Sequence, residues 1–359
     1  WCRYGLRQYE QAGALFRQVI GRSRSSLGQA KANATPLVRE AIQDFVLAYS
    51  QYGEAEQASA VFAPLGDVVV QRGMLEQLAD LYYGDGKDVK AIQIYKTIIN
   101  SDKNNTRNVL YHGKIVKLVQ RLGDKAVVMQ EVRRLSQSFV RLRDYLEKNP
   151  GKKEAFVDDA ENLNDNTLRY LGTSWHKESI QTKDEKTLQY AMELYKTYID
   201  MFQQRKEAYD IRFYYSETMF IAGNLRGAAD NYHAVFTLDP QGKWAQAAAE
   251  EWVRSLDDLL RSKGGQDVPK GDSLEPTAFP PLEQELIDAC TTYLKAFPQG
   301  PMATESIYKI ARLQYNHNHF SDAEAGFMAV ISGDPEHPRA EQAANLILDM
   351  YNLRKDWEG

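Results

Sequence analysis

The stretch TESIYKIARLQYNHNHFSDAEAGFMAVISGDPEH, residues 304–337, decides how the whole chain is read. Ile307, Ile310 and Ala311 recur at helical spacing. The polar triplet His317-Asn318-His319 interrupts them. A second helical pattern then runs through Phe320, Ala323, Phe327 and Val330 until Asp334-Pro335 ends it. Two amphipathic helices with a short turn between them make a hairpin. In the second helix an alanine stands four residues before an aromatic, on the same helix face. The small side chain lets a neighbouring helix come close, and the ring fills the space beside it.

The pair recurs as Ala12/Phe16, Ala58/Phe62, Ala91/Tyr95, Ala191/Tyr195, Ala228/Tyr232 and Ala289/Tyr293. Residues 209–242 repeat the wider pattern with Gly223, Leu225, Ala228, Tyr232, Val235 and Pro240. Residues 72–105 repeat it with Leu78, Ala79, Tyr82, Gly86, Ala91, Tyr95 and Ile98, and end in Asp102-Lys103-Asn104-Asn105, where Lys103 takes the place of the usual proline. Set against the pattern W-x2-L-G-x2-Y…A-x3-F…P, most of the chain resembles the tetratricopeptide repeat family. The resemblance implies an all-α fold, a right-handed superhelical solenoid of antiparallel helix hairpins. It also implies that each hairpin's first helix lines a groove that receives other proteins or peptides.

The intervals show where the array is irregular. Ala58 to Ala91 spans 33 residues and Ala289 to Ala323 spans 34, close to the family period. Ala12 to Ala58 spans 46, which places an insertion in 21–36. Ala91 to Ala191 spans 100, room for about three units. One of these, 109–142, turns at Gly123-Asp124 and has Val128 where the alanine should stand. After the breaker Asn149-Pro150-Gly151, the next carries Leu171, Gly172 and Trp175 and is lengthened by 177–186. The excess between Ala228 and Ala289 falls in 263–281, a loop with Gly264-Gly265, Pro269, Gly271, Pro276, Pro280 and Pro281. Its apolar Leu274 and Phe279 have no assigned core, so the loop is expected to fold back across its own hairpin or to dock a partner. The expected organisation is an N-terminal array over 1–142, an irregular repeat over 143–208 and a C-terminal array over 209–359. Both ends read as cut repeats, with Tyr351, Asp356 and Trp357 matching the turn of a further copy.

Composition fits a soluble helical protein, with 43% hydrophobic and 26% charged residues. A net charge of -5 argues against a nucleic-acid footprint. No apolar run reaches the ~20 residues that span a bilayer. Mean hydropathy is -0.53. The two cysteines, Cys2 and Cys290, lie far apart in the array and are expected to stay reduced.

No catalytic motif stands out: there is no G-x-S-x-G, no phosphate loop and no Cys-x-x-Cys. His317 and His319 with Asp322 lack a further ligand for zinc, so they read as polar turn residues. His112, His176 and His233 fall within helices, with no partner histidine or cysteine near His112 or His233. Asp158-Asp159 and Asp257-Asp258 read as solvated pairs, and Trp244 and Trp252 as core residues of one helix face. We therefore expect no cofactor, no metal and no enzymatic activity.

What remains is the groove that the resemblance implies. Its outward residues would be Glu40, Gln43 and Asp44, then Glu76, Gln77 and Asp80, then Lys114, Lys117 and Arg121. Further along come Phe213, Tyr214, Glu217 and Phe220, and then Glu305, Tyr308, Lys309, Arg312, Tyr315 and Asn316. The last group is favoured because aromatic and arginine side chains anchor interfaces. The reading is a scaffold or adaptor for protein assembly. The irregular loops, acidic pI and Tyr/Gln-rich helices resemble long repeat proteins of bacterial envelope and gliding-motility machines, which points to the periplasm or envelope. The alternatives are the arm of a larger enzyme, such as a protein glycosyltransferase, and a peptide-sensing regulator.

Overall fold

The computed structural model describes residues 1–27, 35–152, 154–264 and 274–355, and among these it holds seventeen α-helices and no strand. A single turn, α1 (Cys2–Gly5), and the 19-residue α2 (Tyr9–Leu27) precede α3 (Pro36–Tyr52), α4 (Ala58–Phe62), α5 (Val68–Gly84) and α6 (Asp88–Ser101). Then come α7 (Asn108–Leu122), α8 (Lys125–Lys148), α9 (Phe156–Thr182), α10 (Glu185–Phe202), α11 (Glu207–Ile221) and α12 (Leu225–Leu238). The series ends with α13 (Ala245–Ser262), α14 (Pro281–Ala296), α15 (Ala303–Asn316), α16 (Phe320–Gly333) and α17 (Ala340–Arg354). Sequence neighbours pack on one another, so each helix is held by the helix before it and the helix after it. This is the all-α hairpin array of a tetratricopeptide-like fold. The chain divides into two compact units, Trp1–Thr167 and Leu168–Gly359, with the boundary inside α9.

The alanine–aromatic pair marks where helices touch. Ala12 is 2% exposed and the other six alanines are 0% exposed, and of the seven aromatics only Phe16 is not fully buried. The close approach is visible at Gly326, where an added Cβ would come within 2.7 Å of the Cβ of Ala311. Helices α15 and α16 therefore meet through two small residues.

One backbone device closes the hairpins. A single left-handed residue stands in each tight turn: Gly86, Gly123, Lys183, Gly223 and Asn318, at φ between 56° and 85°. That conformation frees the chain from the preceding helix, and glycine or asparagine adopts it at least cost. In three turns an aspartate or asparagine side chain then caps the following helix. Asp124 accepts from the amides of Ala126 and Val127, Asp184 from that of Lys186, and Asn224 from that of Gly227. The turns that link one hairpin to the next also share a shape. Asp102, Asp239 and Asp334 adopt nearly identical angles, φ near -152° and ψ near 87°. Lys103 follows the first without disturbing it, although proline follows the other two.

The irregular parts resolve locally. Val128 is buried in the alanine position, and α8 and α9 are lengthened to 24 and 27 residues. The helix after α3 is broken: short 3-10 turns at Ala55–Gln57 and Ala63–Leu65 flank α4, because Gly53, Pro64 and Gly66 interrupt it. Of the insertion, 28–34 lie outside the described residues, as do 265–273 of the loop and both Asp356 and Trp357. Tyr351 lies within α17, where its hydroxyl donates to Glu324 at 2.6 Å.

The described end of the loop crosses the next hairpin, not its own. The Thr277 amide donates to the His317 carbonyl at 2.9 Å, and His319 Nε2 donates to the Thr277 carbonyl at 2.8 Å. The Asn318 amide donates to the Glu275 carbonyl at 3.1 Å, and Phe279 stacks on His319 at 4.9 Å. The His317-Asn318-His319 turn is thus a clasp for this strap, and His317 Nε2 meets Glu283 Oε2 at 2.7 Å.

Candidate functional site

The expected groove residues fall on the first helices of successive hairpins. In unit Trp1–Thr167 most of their charge is answered from the neighbouring hairpin. Asp80 on α5 receives the Tyr95 hydroxyl and the Lys114 ammonium of α7, both at 2.5 Å. Glu76 accepts from the Tyr111 hydroxyl. Arg121 reaches Asp88 at 3.3 Å and lies over the Tyr83 ring. Gln77 donates to the Gln43 carbonyl. Glu40 and Lys117 are exposed, and Asp44 is half-buried, with burial raising its carboxyl and Glu40 adding to that.

In unit Leu168–Gly359 several of the expected outward residues face inward. Phe213 is buried and stacks on Trp244 at 4.2 Å. Tyr308 and Tyr315 are buried against Phe327, and the Tyr315 hydroxyl reaches Asp349 of α17. The reason is geometric. A first helix buries one stripe against its own partner and a second against the first helix of the next hairpin, so fewer of its residues look outward than a single amphipathic stripe suggests. Tyr214 and Phe220 are half-buried. Glu217 is half-buried and forms no ion pair among the described residues; burial, with the charge of Glu251 adding, raises its carboxyl to about 7.

Lys309, Arg312 and Asn316 line a cleft of about 210 Å³ with Asp257, Glu305 and Arg339. Four elements line it, with α14 contributing the apolar Leu286 and the other three the polar groups. Helix α13 supplies Asp257 and Arg261, α15 supplies Glu305, Lys309, Arg312 and Asn316, and Arg339 stands at the start of α17. Lys309 bridges Asp257 at 2.7 Å and Glu305 at 3.0 Å. Arg261 holds Asp257 at 2.7 Å. Arg339 grips Glu305 through two nitrogens, at 2.9 and 3.0 Å, and lies 4.9 Å over the Tyr308 ring. Burial alone would raise the Glu305 carboxyl, but these hydrogen bonds outweigh it and hold the group at about 2. Arg312 donates to the Tyr308 hydroxyl at 3.4 Å. Four cations against two carboxylates leave the cleft with two surplus positive charges.

Asp257 was expected on a solvated face, yet it is 5% exposed. The register of Val253, Leu256, Asp257 and Leu260 puts it on the buried stripe of α13, and that spacing is the signal that reveals it. Arg339 carried no such signal, because it precedes α17 and reaches the cleft only through packing.

Elsewhere the polar residues serve the core. His233 stacks on Trp252 at 4.0 Å, and His176 is buried beside Tyr195. Cys290 is buried and its thiol is pushed up to about 12. Among the described residues no group of three or more His, Cys, Asp or Glu is placed to hold a metal, and no helix is long and apolar enough to cross a membrane.

No protein-family model matches the chain, and no curated protein matches it. Among solved structures it is similar to a tetratricopeptide repeat protein from Parabacteroides merdae. The identity is 12%, the match covers 93% of this chain and 98% of that chain, and the TM-score is 0.26. The assignment of the hairpins therefore stands on the crossings and turns described above.

Proposed function

We propose that the chain is a non-catalytic interaction scaffold and that the cleft on α13, α15 and α17 receives an acidic segment of a partner protein. The observation that carries this reading is the surplus positive charge of a cleft whose walls are already fixed. The lattice of Lys309, Arg339, Asp257 and Glu305 holds its own side chains in place, so a partner's carboxylates meet donors that need little reordering. Arg312 and Asn316 are half-buried at its edge and offer a guanidinium and an amide to an extended peptide. We extend the proposal to an assembly of the bacterial cell envelope, on the strength of the irregular loops and the acidic pI of 5.8.

The test is a displayed random-peptide library selected on the immobilised full chain. Enrichment of acidic sequences, lost with Arg312→Glu while the melting temperature holds, is the expected result. No enrichment, or enrichment indifferent to that substitution, overturns the proposal. A complete reading frame that opens with a secretion signal would support the envelope placement, and one that adjoins a catalytic domain would favour the enzyme-arm reading.

A further inference from the structure

A second pocket, in unit Trp1–Thr167, belongs to none of the groove positions. It has a volume of about 480 Å³ and opens between α6, α7 and α8 beside the 102–105 turn. Lys96, Lys103, Arg134 and Arg141 line it, against one carboxylate, Glu131. Burial pushes the imidazole of His112 down to about 4, so it adds no charge near neutral pH. Four cations less one carboxylate leave three positive charges around a cavity of small-molecule size. Ile99 is its one apolar lining residue, and Asn100 and Asn104 add amides to the rim.

Its floor is polar and unfinished. Glu131 is 1% exposed, and its Oε1 takes both Lys96, at 3.0 Å, and Arg134, at 2.6 Å. Among the described residues its Oε2 has no hydrogen-bond partner, and neither has Nδ1 of His112, a residue 7% exposed. Buried polar atoms are rarely left so, since each costs about 1–3 kcal/mol. Glu131 Oε2 can only accept, so a donor such as water completes the floor, and it is the three positive charges of the walls that call for an anion. Lys103 and Arg141 are exposed at the rim and have no ion-pair partner among the described residues.

Lys103 is the residue that breaks the repeat pattern. The Asp102 turn keeps the angles of the proline-bearing turns without a proline. It is held by Arg72 at 3.3 Å and by the Asn108 side chain, which donates to the Asp102 carbonyl at 2.8 Å. The backbone therefore makes no demand for lysine there; what lysine adds is a cation at the pocket mouth.

We infer that this pocket binds a small soluble compound carrying two or three negative charges on phosphate or carboxylate oxygens. Arginine and lysine are the donors suited to such oxyanions.

The experiment is calorimetric titration of the full chain, at low ionic strength, with sodium pyrophosphate and separately with sodium citrate. Saturable binding of at least one of them, at one site per chain, is expected. The double variant Lys103→Ala/Arg141→Ala should bind about tenfold or more weakly, with an unchanged melting temperature in the absence of ligand because both side chains are exposed. Tighter binding of pyrophosphate names phosphate as the natural group, and tighter binding of citrate names carboxylate. Failure of both anions to saturate, or equal affinity in the double variant, overturns the inference.

Discussion

Two buried carboxylates, Asp257 in one unit and Glu131 in the other, each lie under a pair of cations, yet the two sites end differently. At Asp257 the network closes: Lys309 is itself 10% exposed and is shared with Glu305, which Arg339 then grips. At Glu131 the cations stay 42–45% exposed, one carboxylate oxygen is unanswered, and two further cations stand by without a partner acid. A closed network joins successive first helices and stiffens the wall of a cleft. An open one leaves charge available to something outside the chain. Each acid takes two cations on one oxygen; what separates the cases is the buried Lys309 on one side and the unanswered Oε2 of Glu131 on the other.

The largest test of that difference is Lys309→Met. Methionine keeps much of the packing of the lysine stem but removes the cation that Asp257 and Glu305 share. Arg261 still holds Asp257 and Arg339 still grips Glu305, but both acids lose the one largely buried cation between them, and the expected cost is about 3 kcal/mol. It should be read as a lower denaturation midpoint together with lost hydrogen-exchange protection in Ala245–Ser262. Unchanged protection there would mean that the network is not what joins α13 to α15.

The scaffolds under the two sites also differ, at one register position. Ala323, in the hairpin whose first helix carries Lys309, and Val128, in the helix that carries Glu131, hold the same repeat position, both buried. Ala323→Leu should overpack the α15–α16 crossing, where even a Cβ added at Gly326 would come within 2.7 Å of Ala311, and cost ~1–3 kcal/mol. Val128→Ala should cost a comparable ~1–2 kcal/mol for the opposite reason, a cavity. A melting temperature unmoved by Ala323→Leu would break the alanine-crossing account of the repeat.

Glu217 shows what a half-buried acid does without an ion pair among the described residues. Its carboxyl, near 4.3 when unfolded, lies at about 7 in the folded chain, chiefly through burial. A group raised on folding lends stability that is full below its unfolded value and is lost as pH rises through its folded value. Wild type should therefore lose stability between about pH 4 and pH 7 relative to Glu217→Gln. Because water reaches this half-buried side chain, the gap at pH 8 should be about 1–2 kcal/mol, less than the full shift would give. Melting temperatures of the two chains that run parallel from pH 4 to pH 8 would refute it.

Much of the array was legible in the sequence because its signals are local. The alanine–aromatic pairs, the glycine turns, Asn318 in a glycine's place and the breaker at Asn149-Pro150-Gly151 all act within a few residues. What escaped depends on packing between hairpins. Tyr308, Tyr315 and Phe213 face inward because each first helix has a second neighbour that its own periodicity does not announce. The strap at Thr277 and the ring stack of Phe279 on His319 join residues about forty apart, and no spacing rule links them. The Glu131 pocket draws on three segments, and its one trace in the sequence is Lys103, a lysine where the repeat expects proline.

The smallest effect tests the comparison from its other side. Lys96→Met removes from Glu131 the counterpart of what Lys309→Met removes from Asp257. Lys96 is 45% exposed, and Arg134 still holds the same oxygen at 2.6 Å. An exposed cation pays back most of its attraction in solvation and side-chain freedom, so the cost should be about 0.5 kcal/mol. The same substitution should nonetheless weaken anion binding, since it lowers the pocket's charge from three to two. Stability little changed and affinity reduced is the signature of an open site. A loss near 3 kcal/mol would make Glu131 a closed structural pair like Asp257, and its pocket would then be a by-product of packing.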